Sequence, residues 1–221
     1  FMLVFTQFSV GLYAAEFLLG EPSTLVRIVA LAAMSIGLGA SVLHLGRPLG
    51  AWRAFLGLRR SWLSREIVTF GVFSLFAPAY TFGIYNALTG PLTIGFGVLG
   101  IFTSVMIYHD TQRPFWTLKR SVCRFFGTTL LLGLATYVAL TGVSNPFVLG
   151  ASIATLLGLY AFDLAQILPV KGKGYSPDRK SALLMMGPLK TFMYLRMVLL
   201  GVGAIGLTAA LASPPFAVLA S

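Results

Sequence analysis

Seven runs of apolar residues, at approximately 1–19, 24–46, 66–87, 91–109, 121–143, 146–169 and 189–212, are each long enough to cross a bilayer. A spanning helix takes about 20 such residues. Inside lipid every backbone N–H and C=O must be bonded internally, so only helices and closed barrels can span. Barrel strands alternate apolar and polar positions, whereas these runs are apolar throughout. The expected fold is therefore all-α: one integral-membrane domain over 1–221, a polytopic transmembrane bundle of seven spans. The segment after Pro214 and Pro215 reads as the start of an eighth. Only 10% of the residues are charged and 57% are hydrophobic. A soluble domain carries about 25% charged residues, so a soluble enzyme and a disordered chain are both excluded.

The sequence opens at Phe1 inside one apolar run and closes at Ser221 early in another, so both ends are expected to continue. There is one cysteine, Cys123, and there are two histidines, His44 and His109. One thiol makes no internal disulfide and holds no iron–sulfur cluster. If the chain handles electrons, its metal centres are expected in another subunit.

The formal net charge of +10 is unevenly placed. Connections near 20–23, 86–90, 141–145 and 213–215 are short and lack Lys and Arg. Those near 47–65, 110–120 and 170–188 are long and basic. They and their flanking helix ends hold 15 of the 16 Lys and Arg residues, Arg27 being the exception. By the positive-inside rule this puts the long loops and the N-terminus in the cytoplasm. A basic dock for an acidic partner subunit would give the same asymmetry. No nucleic-acid partner is expected; the surrounding partner is membrane lipid.

Chemistry concentrates where the second span hands over to the third. Leu43-His44-Leu45-Gly46-Arg47-Pro48 is followed by Trp52-Arg53 and by Ser61-Trp62-Leu63-Ser64-Arg65-Glu66. Gly46 and Pro48 end the second helix, and Glu66 opens the third, where the helix dipole favours a carboxylate. A histidine and a carboxylate thus share one membrane depth. Oxidising a quinol needs an apolar slot, hydrogen-bond partners for two ring oxygens, and bases that titrate near neutrality. His44 and a partly desolvated Glu66 suit that task. The plainer alternative is that His44 caps its helix and Glu66 pairs with a neighbouring arginine at the headgroups.

A second stretch, Tyr108-His109-Asp110-Thr111-Gln112-Arg113-Pro114-Phe115-Trp116, turns from the fourth span into the next basic loop. Trp116 reads as an interfacial anchor. Asp110 and Arg113 are candidates for lining a headgroup pocket or contacting a partner, and Arg47, Trp62 and Arg65 for the rim of that pocket. Arg53, Arg59 and Arg60 are candidates for partner docking. Intramembrane charges suggest function by default. Glu16 is expected to pair with Arg27, and Asp163 with Arg124 or Arg196; snorkelling would also accommodate the two arginines. Two further classes remain open: a cytochrome b-type anchor clamping haem between His44 and His109, and a transporter routing solute along Glu16, Asp163 and the arginines.

The His44 and Glu66 segments resemble the membrane-anchor subunit family of dimethyl sulfoxide reductase. The resemblance continues through the Tyr108–Trp116 turn and through Tyr194-Leu195-Arg196-Met197-Val198-Leu199-Leu200. It implies eight spans with no metal or haem, and residence in a bacterial or archaeal cytoplasmic membrane. It implies a non-catalytic subunit that oxidises menaquinol and passes electrons to a four-cluster iron–sulfur subunit, which is attached to a catalytic molybdopterin subunit. Residues matching His44 and Glu66 are associated with quinol binding in that family. Two departures stand out. Seven runs are complete rather than eight, and the charge map puts the quinol face in the cytoplasm, whereas the familiar bacterial members face the periplasm.

Overall fold

The computed structural model describes residues 2–20, 22–44, 52–142, 145–171, 174 and 176–212. Among them the regular structure is all helical. In sequence order the α-helices are α1 (Met2–Leu19), α2 (Thr24–His44), α3 (Ala54–Gly57), α4 (Trp62–Thr81) and α5 (Asn86–Asp110). They continue as α6 (Leu118–Thr141), α7 (Pro146–Ile167), α8 (Pro177–Met186) and α9 (Lys190–Ala212). Short connections make α1 with α2, α4 with α5, and α6 with α7 antiparallel neighbours. Both α5 and α6 also lie against α1, and α9 against α7.

Among the described residues five helices are long and apolar enough to cross a membrane: Met2–Leu19, Thr24–Leu43, Asn86–Asp110, Leu118–Thr141 and Pro146–Val170. A sixth span exists if Pro177–Met186 and Lys190–Gly206, bent by 78° at their break, are one broken span. The expected count of seven is corrected accordingly. Two of the seven runs and one of the loops differ from the sequence reading. α4 starts at Trp62, four residues before its apolar run, and so takes in Arg65 ahead of Glu66. The region read as the loop 170–188 contains α8, whose start is set by Ser176, which caps the Arg179 N–H, and by Pro177 in the first turn. Pro at N1 loses nothing, because its missing N–H would have been an orphan. α5 also starts early, at Asn86, after a turn in which Gly83 and Tyr85 have φ of 78° and 47°.

The core sits where α1, α2, α4, α5 and α6 meet, around Val10, Tyr13, Val26, Phe70, Phe73, Tyr80, Ile101 and Tyr137. α1 and α6 touch backbone to backbone. A Cβ on Gly11 would lie 2.1 Å from the Thr129 carbonyl oxygen, and one on Gly133 would lie 2.3 Å from the Gly11 carbonyl. Without a hydrophobic drive between helices in lipid, such close approach is a main source of association.

At the weakly charged end, Glu16 is 1% exposed and accepts from Arg27 Nε at 2.7 Å and from the Tyr80 hydroxyl at 2.5 Å. Arg27 also lies over the Tyr80 ring, 4.3 Å from its centroid. The expected Glu16–Arg27 pair is thus present and ties α1, α2 and α4 together. At the basic end Asp163, fully buried, pairs with both Arg124 (2.8 Å) and Arg196 (2.5 Å), joining α6, α7 and α9. Pairing, rather than snorkelling alone, accounts for these two arginines.

Candidate functional site

α4 begins at the basic end. Ser61 caps it by accepting from the Ser64 N–H, and the four-residue α3 folds back on this start. The contact is tight enough that a Cβ on Gly57 would sit 2.4 Å from Ser64 Oγ. Arg65 turns back toward α3, donating from Nε to the Leu58 carbonyl at 2.8 Å and from Nη2 to the Arg59 carbonyl at 3.1 Å. Its guanidinium lies over the Trp62 ring at 4.0 Å, and Trp62 meets the edge of Phe102. Arg65 is therefore occupied with the helix start, and its neighbour Glu66 points the other way, into the bundle.

Glu66 is 5% exposed. It lies in the second turn of α4, because the helix starts at Trp62. The first-turn dipole contact expected from the sequence is absent. Its Oε1 accepts from the Ser104 hydroxyl of α5. Among the described residues it has no ion-pair partner, and Arg65 does not supply one. Thr69 lies one turn further in, within 3.4 Å of Thr103 Oγ1. A buried carboxylate without a cation is costly, so such a group is held in place by what the site does or by a proton it carries.

One turn beyond Ser104 on α5, Tyr108 is close enough to Glu66 for the two to interact electrostatically. Its ring meets Trp116 edge-on at 4.7 Å and Phe125 at 5.3 Å. The backbone reverses at Thr111–Gln112, where Gln112 has φ 55°, and Pro114–Trp116 form a short 3₁₀ turn that brings Trp116 back onto Tyr108. Arg113 covers the Trp116 ring at 4.7 Å. Beyond Tyr108 and Trp116 opens a cavity of about 510 Å³ that reaches α6, α7 and α9.

The sequence-predicted residues divide into three groups. Trp62, Arg65 and Glu66 are brought together on the first two turns of α4. Arg113 joins the aromatic turn, and Asp110 is exposed at the end of α5 beside it. Arg53, Arg59 and Arg60 are exposed on the segment around α3 at the same end of the bundle. His44 is the last residue of α2, which packs on α1 and α4; its side chain lies outside the described residues, as does the whole of Arg47. Among the described residues no group of three or more His, Cys, Asp or Glu side chains is arranged to hold a metal ion.

Sequence reasoning missed Ser104. A serine inside a span usually bonds back to the preceding turn, and Ser104 does so to the Gly100 carbonyl at 3.1 Å. The available signal was the spacing of Gly100, Ser104 and Tyr108, which lie on one helix face. That face is turned to α4, because Gly100 is packed against the Phe70 ring.

Comparison with known proteins gives a consistent picture. Residues 3–176 match the sequence profile of the DMSO reductase anchor subunit (DmsC). The C subunit of sulfite dehydrogenase from Allochromatium vinosum is 31% identical over 159 residues, covering 63% of the present sequence and 47% of that protein. The C component of the anaerobic dimethyl sulfoxide reductase of Haemophilus influenzae is 28% identical over 199 residues, covering 76% and 70% respectively. The matched region thus spans about half of the first relative's length. No solved structure is significantly similar. With a match over most of its length and five apolar helices of spanning length, this chain is an integral membrane protein belonging to the DMSO reductase anchor subunit family.

Proposed function

We propose that the chain is the quinol-oxidising anchor of a molybdopterin oxidoreductase complex. The observation that carries the reading is Glu66: a buried carboxylate, without a cationic partner among the described residues, at the basic end of the bundle beside Ser104 and Tyr108. A quinol leaving as quinone releases two protons and two electrons. Breaking each O–H bond needs a base next to the ring oxygen, and His44 and Glu66 supply two. The Ser104 hydroxyl orients Glu66, and Tyr108 with the aromatic turn at Trp116 supplies an apolar wall. Trp62, Asp110 and Arg113 border the headgroup in this reading, while Arg65 holds the helix start that positions Glu66.

In this reading the electrons pass to a partner; the single cysteine supports this, since one thiol holds no iron–sulfur cluster. A four-cluster iron–sulfur subunit, docked on the basic face at Arg53, Arg59 and Arg60, is the acceptor in this reading, with the molybdopterin subunit beyond it. Menaquinol is the substrate that the family suggests. We assign the basic end to the cytoplasmic side; the 15-to-1 distribution of Lys and Arg supports this.

The test is turnover in the assembled complex. Glu66→Gln and His44→Ala are expected to lower menaquinol oxidation by about two orders of magnitude, in line with loss of a general base. The partner subunits should still co-purify in full. Normal turnover in either variant would overturn that residue's assignment, and normal turnover in both would overturn the site.

A further inference from the structure

The cavity of about 510 Å³ beyond Trp116 holds a buried polar group that nothing so far explains. Gln166 is 6% exposed and lines the cavity. Its Oε1 accepts from Arg124 at 3.4 Å, but its Nε2 has no hydrogen-bond partner among the described residues. A buried amide N–H₂ left without an acceptor loses its hydration with nothing in return. The charges around it do not balance either. Arg124 and Arg196 share the single carboxylate of Asp163. The third arginine, Arg120, is matched by Asp178, to which it donates at 2.9 and 3.1 Å. Among the described residues, one positive charge is left over beside an orphan donor.

The cavity lies at the basic ends of α1, α5, α6, α7 and α9, which is headgroup depth for helices that cross a bilayer. Through Val4, Thr128 and Arg196 it is continuous with an apolar groove of about 820 Å³ between α6, α7 and α9. The groove is lined along α9 from Phe192 to Gly206, and the part from Leu195 to Gly206 leads away from the cavity. At a rise of 1.5 Å per residue that distance is about 17 Å, close to half of a hydrocarbon core about 30 Å thick. An acyl tail from a single leaflet has that reach.

We propose that this composite site binds one anionic phospholipid, with its phosphodiester between Arg124, Arg196 and Gln166 and an acyl tail in the groove of α6, α7 and α9. A phosphodiester carries one negative charge and two free oxygens. The charge answers the surplus guanidinium, and an oxygen gives Gln166 Nε2 its acceptor. A neutral quinone ring would satisfy the amide and leave the surplus charge unmatched. A zwitterionic lipid would bring its own cation into a site that already has one too many. The bound lipid would join α9 to α6 and α7, where Asp163 is the principal polar tie.

The test uses the full-length protein, purified in mild detergent with its partners and washed free of loosely held lipid. Native mass spectrometry is expected to find one phosphatidylglycerol-type lipid per copy of this subunit. After delipidation, phosphatidylglycerol should raise the unfolding temperature, and phosphatidylcholine and inorganic phosphate should not. Arg196→Gln, which keeps the Arg124–Asp163 pair, and Gln166→Leu should each weaken phosphatidylglycerol binding about tenfold or more, as expected for losing a charged or buried hydrogen bond. Gln166→Leu removes no charge and so remains informative if Arg196→Gln does not fold. Equal stabilisation by phosphatidylcholine would overturn the proposal. So would stabilisation by phosphate alone, displacement of the lipid by menaquinone, or unchanged binding in Gln166→Leu.

Discussion

Two buried carboxylates illustrate how differently the same residue type is treated at the two ends of the bundle. Glu16 has a guanidinium at 2.7 Å and a phenol at 2.5 Å, whereas Glu66 has only a serine hydroxyl among the described residues. The first arrangement is a closed structural tie. Removing one partner leaves a buried charge alone, so Arg27→Met is expected to destabilise the protein by about 3–5 kcal/mol, read as a lowered unfolding temperature in detergent. Adding Glu16→Gln to Arg27→Met should recover part of the loss; no recovery would mean that Arg27 acts through its stacking on Tyr80 instead. At Glu66 the order reverses. Glu66→Gln keeps the size and the Ser104 contact, so stability should be nearly unchanged while quinol chemistry is lost. Ser104→Ala removes the one described hydroxyl that holds the carboxyl in place. It should reduce turnover less than Glu66→Gln and shift its pH profile, whereas a purely packing role would leave that profile unmoved.

At the level of helices, pairing depends on small residues and on charge ties, and the two kinds fail in different ways. Gly133 faces the Gly11 backbone with no room for a side chain. Gly133→Val is expected to separate α1 from α6 and cost about 1–3 kcal/mol, visible in thermal unfolding. A substitution at Gly39, which has nothing within 4 Å of its Cβ position, should cost far less. α8, which packs on α7 and α9, is tied to α6 by the Arg120–Asp178 pair. The Arg120 guanidinium, by hydrogen bond and charge, holds the Asp178 carboxyl below the usual carboxylate range. A depressed carboxylate pKa contributes stability at pH above its ordinary value, lost as pH falls through the shifted one. Asp178 is 41% exposed, so the contribution is under about 1 kcal/mol. Hydrogen exchange should therefore show α8 loosening modestly as pH drops below about 4, with no such step in Asp178→Asn.

The sequence made most of this architecture legible. Long apolar runs identify helices because lipid leaves the backbone no other option, and α1, α2, α6 and α7 follow those runs to within a few residues. α4 was harder to bound, because its cap at Ser61 lies among the charges of the preceding loop and hydropathy does not register a cap. α8 was missed for the same reason: a short polar helix is defined by Ser176 and Pro177, not by an apolar run. The paired charges Glu16–Arg27 and Asp163–Arg124 could be anticipated, since a lone charge in lipid needs a partner. That Asp163 takes a second arginine could not, because it depends on how α9 lies against α7. Glu66 and Trp62 stood out by residue type, while Ser104 and Gln166 acquire their meaning only from the helices that face them.

For the whole molecule, one end of the bundle gathers nearly all the positive charge, the Glu66 site, the aromatic turn and the arginine-lined cavity. The other end holds the Glu16 tie and short connections. Such polarity agrees with the proposed role, in which the subunit takes its reductant from the membrane and hands electrons to a partner at one face. If Arg53, Arg59 and Arg60 make that dock, replacing all three with alanine should weaken partner retention and steepen its loss with salt, because exposed charges act through a screened field. Quinol-analogue binding by the anchor alone should be unaffected. The central claim, that this protein itself holds the quinol at Glu66, is tested most directly by titrating it, purified, with a fluorescent quinol analogue. One saturable site in the wild-type protein, lost in a folded Glu66→Gln variant, is the predicted result. Absence of binding to the wild-type protein, or undiminished binding to the variant, would contradict it.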